Sequence, residues 1–207
     1  MISKRYLLLA TNNQGKLREL RSLLTDLTNV ELVFPKDVGL ELDVKEVGET
    51  YAENAALKAR AFANASGLIA LADDSGLEVD ALDGAPGLHS ARYSPKMNAT
   101  DADRRSYLLE ELSSKPRPWT ARFRATIAIA TLDGNVQFAE GICEGEISPQ
   151  ERGTGGFGYD PIFVLAGMDK TMAELSEQEK NQVSHRARAA ASARSILIAI
   201  FSEIGEK

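Results

Sequence analysis

Two adjacent aspartates, Asp73 and Asp74, follow an apolar segment and precede Ser75, with Glu46 and Glu53 upstream. Hard divalent cations such as Mg²⁺ prefer carboxylate oxygens, and they often bridge one or two protein carboxylates to substrate phosphates. Adjacent residues in an extended segment point to opposite faces, so we expect one of the two aspartates to face a metal site. The alternative is a turn in which an aspartate caps its own backbone, and this motif alone favours the turn.

A polar segment, residues 11–16, separates an apolar run from leucines at helical spacing. N–H groups at the start of a helix, together with Lys16, suit phosphate oxygens. The segment is not a Walker loop, because the first glycine is missing and Leu17 stands where Ser or Thr would bind magnesium. The alternative is a solvated turn in which Asn and Gly supply unusual dihedral angles, and the segment alone favours that turn.

Four glycines between Gly153 and Asp160 predict a loop that a ligand can approach closely. In this loop Phe157 could stack on a nucleobase, and Asp160 could accept a hydrogen bond from one. Glycine-rich loops occur in many proteins, so the segment indicates base recognition only in combination with others.

A polar cluster near the end of the sequence contains Lys180, Ser184, His185, Arg186 and Arg188. An unbroken helix would place Lys180 and Ser184 on one face and turn His185 and Arg186 away from it. The cluster therefore predicts one of two arrangements: the helix breaks near Ser184, or part of the cluster is a solvated surface. Spacing alone favours the surface.

The elements that must position these residues begin as strands alternating with helices. Residues 5–10 form an apolar run, the leucines of residues 17–27 recur at helical spacing, and residues 31–34 predict a short strand. Thr50 is expected to cap an alanine-rich helix, and residues 68–72 predict a buried strand that delivers the two aspartates to its C-terminal end.

The second half of the chain adds a hairpin. A helix is expected after Thr100, and alternating apolar residues at 121–129, a turn at residues 133–134 and renewed alternation predict an antiparallel pair of strands. Ser176 begins a capping box, and a final helical region extends towards Ile204. Interleaved strands and helices with one hairpin predict an α/β fold with a mixed, twisted sheet.

Composition limits the classes of protein. The chain has 207 residues, of which 43% are hydrophobic and 26% charged, and no repeat or low-complexity linker interrupts it, so we expect one globular domain over residues 1–207. The formal net charge is −6 and no run of Lys and Arg occurs, so nucleic acid is not an expected partner.

Membrane insertion is not expected either, because the longest apolar stretches, such as residues 196–201, fall far short of the roughly 20 residues of a membrane helix. The amino terminus has too short an apolar core for a signal peptide. Cys143 is the only cysteine and cannot form an internal disulfide. We therefore expect a cytoplasmic protein.

Taken together, these motifs resemble the inosine/xanthosine triphosphate pyrophosphatase family. The segments that carry the resemblance are residues 11–20 (TNNQGKLREL), 53–55 (ENA), 72–77 (ADDSGL), 84–87 (GAPG), 90–93 (SARY), 155–161 (GGFGYDP) and 184–186 (SHR). Each segment is weak alone, but the ordered set is highly specific.

The resemblance implies an elongated, two-lobed α/β fold with a mixed twisted sheet flanked by helices, a central substrate cleft and a homodimer. It also implies hydrolysis of non-standard purine nucleoside triphosphates (ITP, dITP, XTP) to the monophosphate and pyrophosphate, with Mg²⁺ as cofactor. Carried over by position, Asp74 would be the catalytic proton acceptor and a metal ligand, and Glu46 a further metal ligand. The substrate-binding residues implied in this way are Thr11, Asn12, Asn13, Gln14, Gly15, Lys16, Ser75, Phe157, Gly158, Tyr159, Asp160, Lys180, His185 and Arg186.

A site that offers an acceptor to N1–H and donors to the 6-oxo group would reject adenine, because the mismatch leaves buried polar groups unpaired. Guanine shares both groups with hypoxanthine, and the sequence does not show how GTP is excluded. Two other functions stay open: a pyrophosphatase that prefers modified pyrimidine or methylated nucleotides, and a nucleotide sensor without turnover. The intact aspartate pair speaks against the sensor.

Overall fold

The computed structural model describes residues 5–204 and shows an α/β protein. Its strands are β1 (Arg5–Leu9), β2 (Val30–Val33), β3 (Ile69–Val79), β4 (Thr120–Ala130), β5 (Val136–Ile147) and β6 (Phe163–Leu165). Its α-helices are α1 (Gln14–Leu24), α2 (Tyr51–Ser66), α3 (Asp101–Leu112), α4 (Glu177–Val183) and α5 (His185–Ile204). The six strands form one sheet in the order β2-β1-β3-β4-β5-β6.

The sheet is mixed, as the sequence predicts. β1 pairs in parallel with β2 and with β3, and β5 pairs antiparallel with β6. β4 and β5 are neighbours in the sheet and are joined by residues 131–135, which is too short a connection for a parallel crossover. The predicted hairpin and the predicted fold class are therefore confirmed.

Side-chain caps begin three of the helices at the predicted positions. The hydroxyl groups of Thr50, Thr100 and Ser176 each accept a hydrogen bond from the N–H three residues later, in complete capping boxes. Gly67 ends α2 with a φ of 68°, a conformation that favours glycine.

The predicted end of the third strand is wrong. β3 does not stop before the aspartates but continues through Asp73 and Asp74 to Val79. Apolar residues resume beyond them, since Leu77 and Val79 are fully buried. Both carboxylates are ion-paired, so the strand can carry them through the interior without a turn to solvent.

The chain divides into two compact units. Within the described residues, unit 1 consists of residues 5–74, 125–141 and 186–204. Unit 2 consists of residues 75–124 and 142–185. Within the described residues, no helix is long and apolar enough to cross a membrane.

Unit 1 has a separate core on each face of its part of the sheet. Leu7, Leu9 and Leu71 pack in one core with residues of α1 and α5, whereas Leu8 and Ala72 pack in another with residues of α2. Alternate residues of a strand face opposite sides, so the residue after Ala72 lies on the α1 and α5 face and the next one on the α2 face.

Unit 2 has one core, which contains larger side chains. Leu77 and Leu108 are fully buried in it, and Trp119 and Tyr159 are nearly so. The rings of Phe123 and Phe163 lie 4.6 Å apart between centroids. This core supports the glycine-rich loop of residues 153–160.

Candidate functional site

The first candidate segment lies at the start of α1, where Asn13 is the N-cap. Its Oδ1 accepts hydrogen bonds from the N–H groups of Gly15 (2.9 Å) and Lys16 (3.1 Å), and Thr11 Oγ1 accepts one from the N–H of Asn13 (3.2 Å). The protein itself therefore satisfies these donors. Gln14 is exposed, so the strongest group that the segment offers to phosphate is the Lys16 ammonium.

Lys16 contacts Asp73, which is 1% exposed and lies at the centre of a buried ion-pair network. Asp73 Oδ2 lies 3.2 Å from Lys16 Nζ and accepts a hydrogen bond of 3.1 Å from Nε of Arg186. Nη1 of Arg186 also donates to Glu19. Arg186, which is only 2% exposed, thus connects α1 and the start of α5 to β3.

Electrostatics keep Asp73 ionised. Burial alone would raise its pKa, but Lys16, Arg186 and Lys58 together hold the pKa of Asp73 well below its usual range. Burial lowers the pKa of Lys16 in spite of the attraction of Asp73. Asp73 Oδ1 is buried and has no hydrogen-bond partner in the described part of the chain, which is uncommon for a buried polar atom.

Asp74 lies on the opposite face of β3 and contacts a lysine of α2. Lys58 Nζ donates to Asp74 Oδ1 (3.3 Å) and to Glu46 Oε1 (2.7 Å). One ammonium therefore joins the two carboxylates that the sequence analysis assigned to a metal. We call Lys16, Glu46, Lys58, Asp73 and Asp74 the carboxylate–lysine cluster; all of it belongs to unit 1.

The pKa of Asp74 moves in the opposite direction from that of its neighbour. Burial raises the pKa of Asp74, and the repulsion of Glu46 adds to this effect, against the opposing attraction of Lys58 and Lys16. Burial would lower the pKa of Lys58, but Asp74, Asp73 and Glu46 raise it above its ordinary value. Lys58 is thus ammonium, and Asp74 holds a proton more readily than an ordinary aspartate.

The donor set fits a magnesium ion that also binds substrate phosphate. In the described chain, no three histidine, cysteine, aspartate or glutamate side chains lie close enough to hold a metal by themselves. Glu46 and Asp74 nevertheless already share one cation, the Lys58 ammonium. Two carboxylates with open positions for water and phosphate suit Mg²⁺, which seldom occupies a full protein cage.

The chain in front of α2 fixes Glu46. The N–H of Gly48 donates to Asn54 Oδ1 (2.8 Å), and the N–H of Glu49 donates to Glu53 Oε2 (2.7 Å). A Cβ at Gly48 would lie 2.7 Å from the Cβ of Glu53, so only glycine allows this close approach. Asn12 Nδ2 also donates to the carbonyl of Leu42 (2.9 Å).

In unit 2, Asp160 organises the end of the glycine-rich loop. Its Oδ2 accepts hydrogen bonds from the N–H of Phe157 (2.8 Å) and from Lys180 Nζ (2.6 Å), and Asp160 is 3% exposed. Lys180 Nζ also lies 5.3 Å from the centroid of the Phe157 ring, within cation–π range. The structure thus brings together three of the residues expected to contact the nucleotide.

The helix break predicted as one of two alternatives is confirmed. α4 ends at Val183, Ser184 is extended with a ψ of 156°, and α5 begins at His185. His185 and Arg186 are buried rather than part of a solvated surface. The His185 ring stacks on Phe123 at 4.7 Å between centroids and an interplanar angle of 16°.

The remaining predicted site residues of unit 2 differ in exposure. Ser75 is half-buried within β3. Gly158 has a φ of 62° and is half-buried in the loop. The Tyr159 ring is buried in the core and its hydroxyl donates to the carbonyl of Ser90 (2.9 Å). Burial raises the pKa of Tyr159, so its hydroxyl stays protonated and can donate this hydrogen bond.

Sequence reasoning missed two charged residues of these networks, Lys58 and Glu19. Lys58 stands in an alanine-rich helix, and its spacing from Glu46 and Asp74 matches no motif. Glu19 lies on α1 within one helical turn of Lys16, and nothing in the sequence indicates that it pairs with Arg186 instead. No local signal could have found either residue. Arg186, the partner of Glu19, lies far along the chain, and the partners of Lys58, Glu46 and Asp74, stand at spacings that match no motif.

The chain is similar in sequence and in fold to known proteins. The model of the Ham1 family matches residues 7–196. A dITP/XTP pyrophosphatase of Porphyromonas gingivalis is 47% identical over 192 residues, which are 93% of this chain and 97% of the relative. One from Geobacter sulfurreducens is 50% identical and covers 89% of this chain and 92% of its own length. The structure of a HAM1 protein from Coxiella burnetii matches with a TM-score of 0.85 and 41% identity, covering 94% of this chain and 99% of that one.

Proposed function

The chain belongs to the Ham1 family, and on that premise we propose that it hydrolyses non-standard purine nucleoside triphosphates such as ITP, dITP and XTP to the monophosphate and pyrophosphate. The observation that carries the proposal is the carboxylate–lysine cluster, in which Lys16 pairs with Asp73 on one face of β3 and Lys58 pairs with Glu46 and Asp74 on the other. Such a cluster suits phosphoryl chemistry, where catalysis consists mainly of positioning and charge stabilisation.

We assign the triphosphate to the cations of this cluster. Lys16 and Lys58 would neutralise charge that develops on the phosphate oxygens, while Asp73 and Arg186 hold Lys16 in place. Asp74 would orient a water against the α-phosphorus and accept its proton, a role that its raised pKa suits. Bound at Glu46 and Asp74, Mg²⁺ would supply positive charge to the phosphate oxygens.

We assign the base to the glycine-rich loop and α4. Phe157 offers a ring face for stacking, and Lys180 is a donor suited to a 6-oxo group. Asp160 is an acceptor of the type that N1–H requires, and its contacts with Lys180 and Phe157 fix its orientation. This arrangement favours hypoxanthine and xanthine over adenine.

The homodimer, the magnesium ion and the cytoplasmic location are parts of the same proposal. Their support is the family membership together with the fit of two carboxylates to Mg²⁺. Sedimentation equilibrium tests the dimer, since a homodimer would have twice the 22.4 kDa mass of the chain.

A pyrophosphate-release assay tests the reaction. We expect ITP, dITP and XTP in the presence of Mg²⁺ to give higher rates than ATP, dUTP or methylated nucleotides. Asp74→Asn should lower turnover of ITP by about 10²- to 10⁴-fold, the contribution typical of a general base. Asp83→Asn, an exposed position with a φ of 52° that asparagine tolerates, is the matched control.

Three results would contradict the proposal. Preference for dUTP or methylated nucleotides would favour the alternative function, a pyrophosphatase for modified pyrimidine or methylated nucleotides. Nucleotide binding without pyrophosphate release would favour a sensor. Near-normal turnover in Asp74→Asn would remove Asp74 from the role of proton acceptor.

A further inference from the structure

We propose that Asp101 and Arg105 of α3 are positioning residues for nucleobase recognition, because they fix Gly158 and thereby the loop that carries Phe157 and Asp160. The proposal deepens the function proposed above and rests on it. All five residues belong to unit 2.

The two side chains hold both backbone polar groups of Gly158. Asp101 Oδ2 accepts a hydrogen bond of 2.7 Å from the N–H of Gly158. Arg105 Nη1 donates a hydrogen bond of 2.8 Å to the carbonyl oxygen of Gly158. Both bonds involve a charged partner, and such bonds are stronger than neutral ones.

Asp101 and Arg105, which we call the clamp, are themselves held in place. Glu151 Oε1 and Oε2 accept hydrogen bonds from Arg105 Nε (2.8 Å) and Nη2 (2.9 Å), which is the bidentate geometry that orients a guanidinium. Asp101 is in the first turn of α3, where the helix dipole favours a carboxylate, and it pairs with Arg104. Neither side chain of the clamp is therefore free to reorient at low cost.

The loop needs such support because of its composition. Gly158 has a φ of 62° and separates Phe157 from the segment that begins at Tyr159, so its dihedral angles set the direction of both. Glycine is conformationally permissive and has no side chain that could hold it, so the hydrogen bonds to its N–H and carbonyl groups restrain its conformation. A displacement of about 1 Å in a binding group is enough to lower selectivity strongly.

The test compares ITP with ATP in the full-length protein. Asp101→Ala removes the acceptor for the Gly158 N–H, and we expect KM for ITP to rise and the ITP-to-ATP ratio of kcat/KM to fall, each by roughly tenfold, the effect of one charge-assisted hydrogen bond. Asp101→Asn keeps an acceptor oxygen and should restore most of the ratio. Arg105→Ala tests the carbonyl bond independently.

Two controls separate positioning from general damage. Inorganic tripolyphosphate has no base, so its inhibition constant should stay within about twofold in every variant, since no base contact is involved. Lys96→Ala removes an ion pair to Asp103 in the first turn of the same helix and leaves both bonds to Gly158 in place, so its ITP-to-ATP ratio should equal that of the wild type. Amide hydrogen exchange of residues 155–160 should be faster in Asp101→Ala than in Asp101→Asn.

An unchanged ITP-to-ATP ratio in both Asp101→Ala and Arg105→Ala would overturn the proposal. Equal losses for ITP, ATP and tripolyphosphate would also overturn it, because they would indicate damage to the unit as a whole. If the wild-type protein releases no pyrophosphate from ITP, the proposed function itself is wrong. If the wild type is active and the variants keep its ITP-to-ATP ratio of kcat/KM, only the positioning role of Asp101 and Arg105 is wrong.

Discussion

Asp73 and Asp74 are neighbours in the sequence, but their pKa values shift in opposite directions. Asp73 faces Lys16 and Arg186, and its pKa is lowered in spite of its burial. Asp74 faces Lys58, and burial raises its pKa. The alternation of side chains along β3 is the cause, because it gives the two carboxylates different partners from different helices.

Lys58→Met should raise the pKa of Asp74 further, because Lys58 is the strongest of the charges that lower it. An aspartate accepts a proton only as a carboxylate, so activity should be lost at a higher pH as the solution is acidified. Carbon-13 NMR of the aspartate carboxyl groups in metal-free buffer measures the midpoint of the Asp74 titration, which is its pKa. Lys96→Met, at an exposed ion pair, is the control, and a midpoint that is unchanged or lower in Lys58→Met would contradict the expectation.

Lys16→Ala should weaken binding of ITP much more than binding of inosine. The lysine is held next to Asp73 and offers its ammonium to phosphate, which inosine lacks. We expect a loss of roughly 10- to 100-fold for the triphosphate, the range for hydrogen bonds to charged groups. Calorimetry measures both affinities, Lys96→Ala is the control, and an equal loss for the two ligands would count against phosphate binding.

At the scale of elements, loops and helix starts place the functional groups. The break at Ser184 allows α5 to begin at His185, which turns Arg186 towards Asp73. A continuous helix through Ser184 would turn these side chains elsewhere. The capping box of α2 similarly fixes the chain that carries Glu46.

Gly156→Ala should reduce ITP affinity, whereas Gly158→Ala should have a smaller effect. Both glycines have positive φ, 71° and 62°, and therefore share the same backbone cost. A Cβ at Gly156 would collide with the Asp160 carboxylate, whereas one at Gly158 would meet nothing within 4 Å. KM for ITP measures the difference, and equal effects would mean that the position of Asp160 is not critical.

At the scale of the whole molecule, each unit carries its own candidate residues, and its hydrophobic packing is its own: two cores in unit 1 and one in unit 2. Unit 1 contains the carboxylate–lysine cluster, and unit 2 contains the glycine-rich loop with its clamp. That the chain folds as one cooperative domain stays a prediction. Coincident unfolding transitions monitored in both units would support it.

Excess EDTA should stop hydrolysis without unfolding the protein. Lys58 pairs with both Glu46 and Asp74 and offsets part of their negative charge, so we expect the fold to persist when the ion is removed. Pyrophosphate release measures the reaction, and the thermal midpoint measures stability without nucleotide. EDTA that is already loaded with Mg²⁺ is the control, and undiminished hydrolysis in free EDTA would refute metal dependence.

The sequence by itself determined most of the local structure. The capping boxes at Thr50 and Ser176, the helix after Thr100, the apolar periodicities and the hairpin depend on residues close together in the chain, and these were predicted correctly. The motifs also identified Lys16, Asp74 and Asp160 as candidates for one function. Local rules suffice for such features because their hydrogen bonds span only a few residues.

Only the tertiary structure decided which charges meet. Arg186 reaches Asp73 across 113 positions of the chain and Lys58 reaches Asp74 across 16, and neither spacing follows a local periodicity. The extension of β3 through the two aspartates was also missed, because a buried carboxylate is stable only when a distant cation neutralises it. Sheet order and helix packing bring those cations to the carboxylates, and the sequence pattern does not show which cation meets which carboxylate.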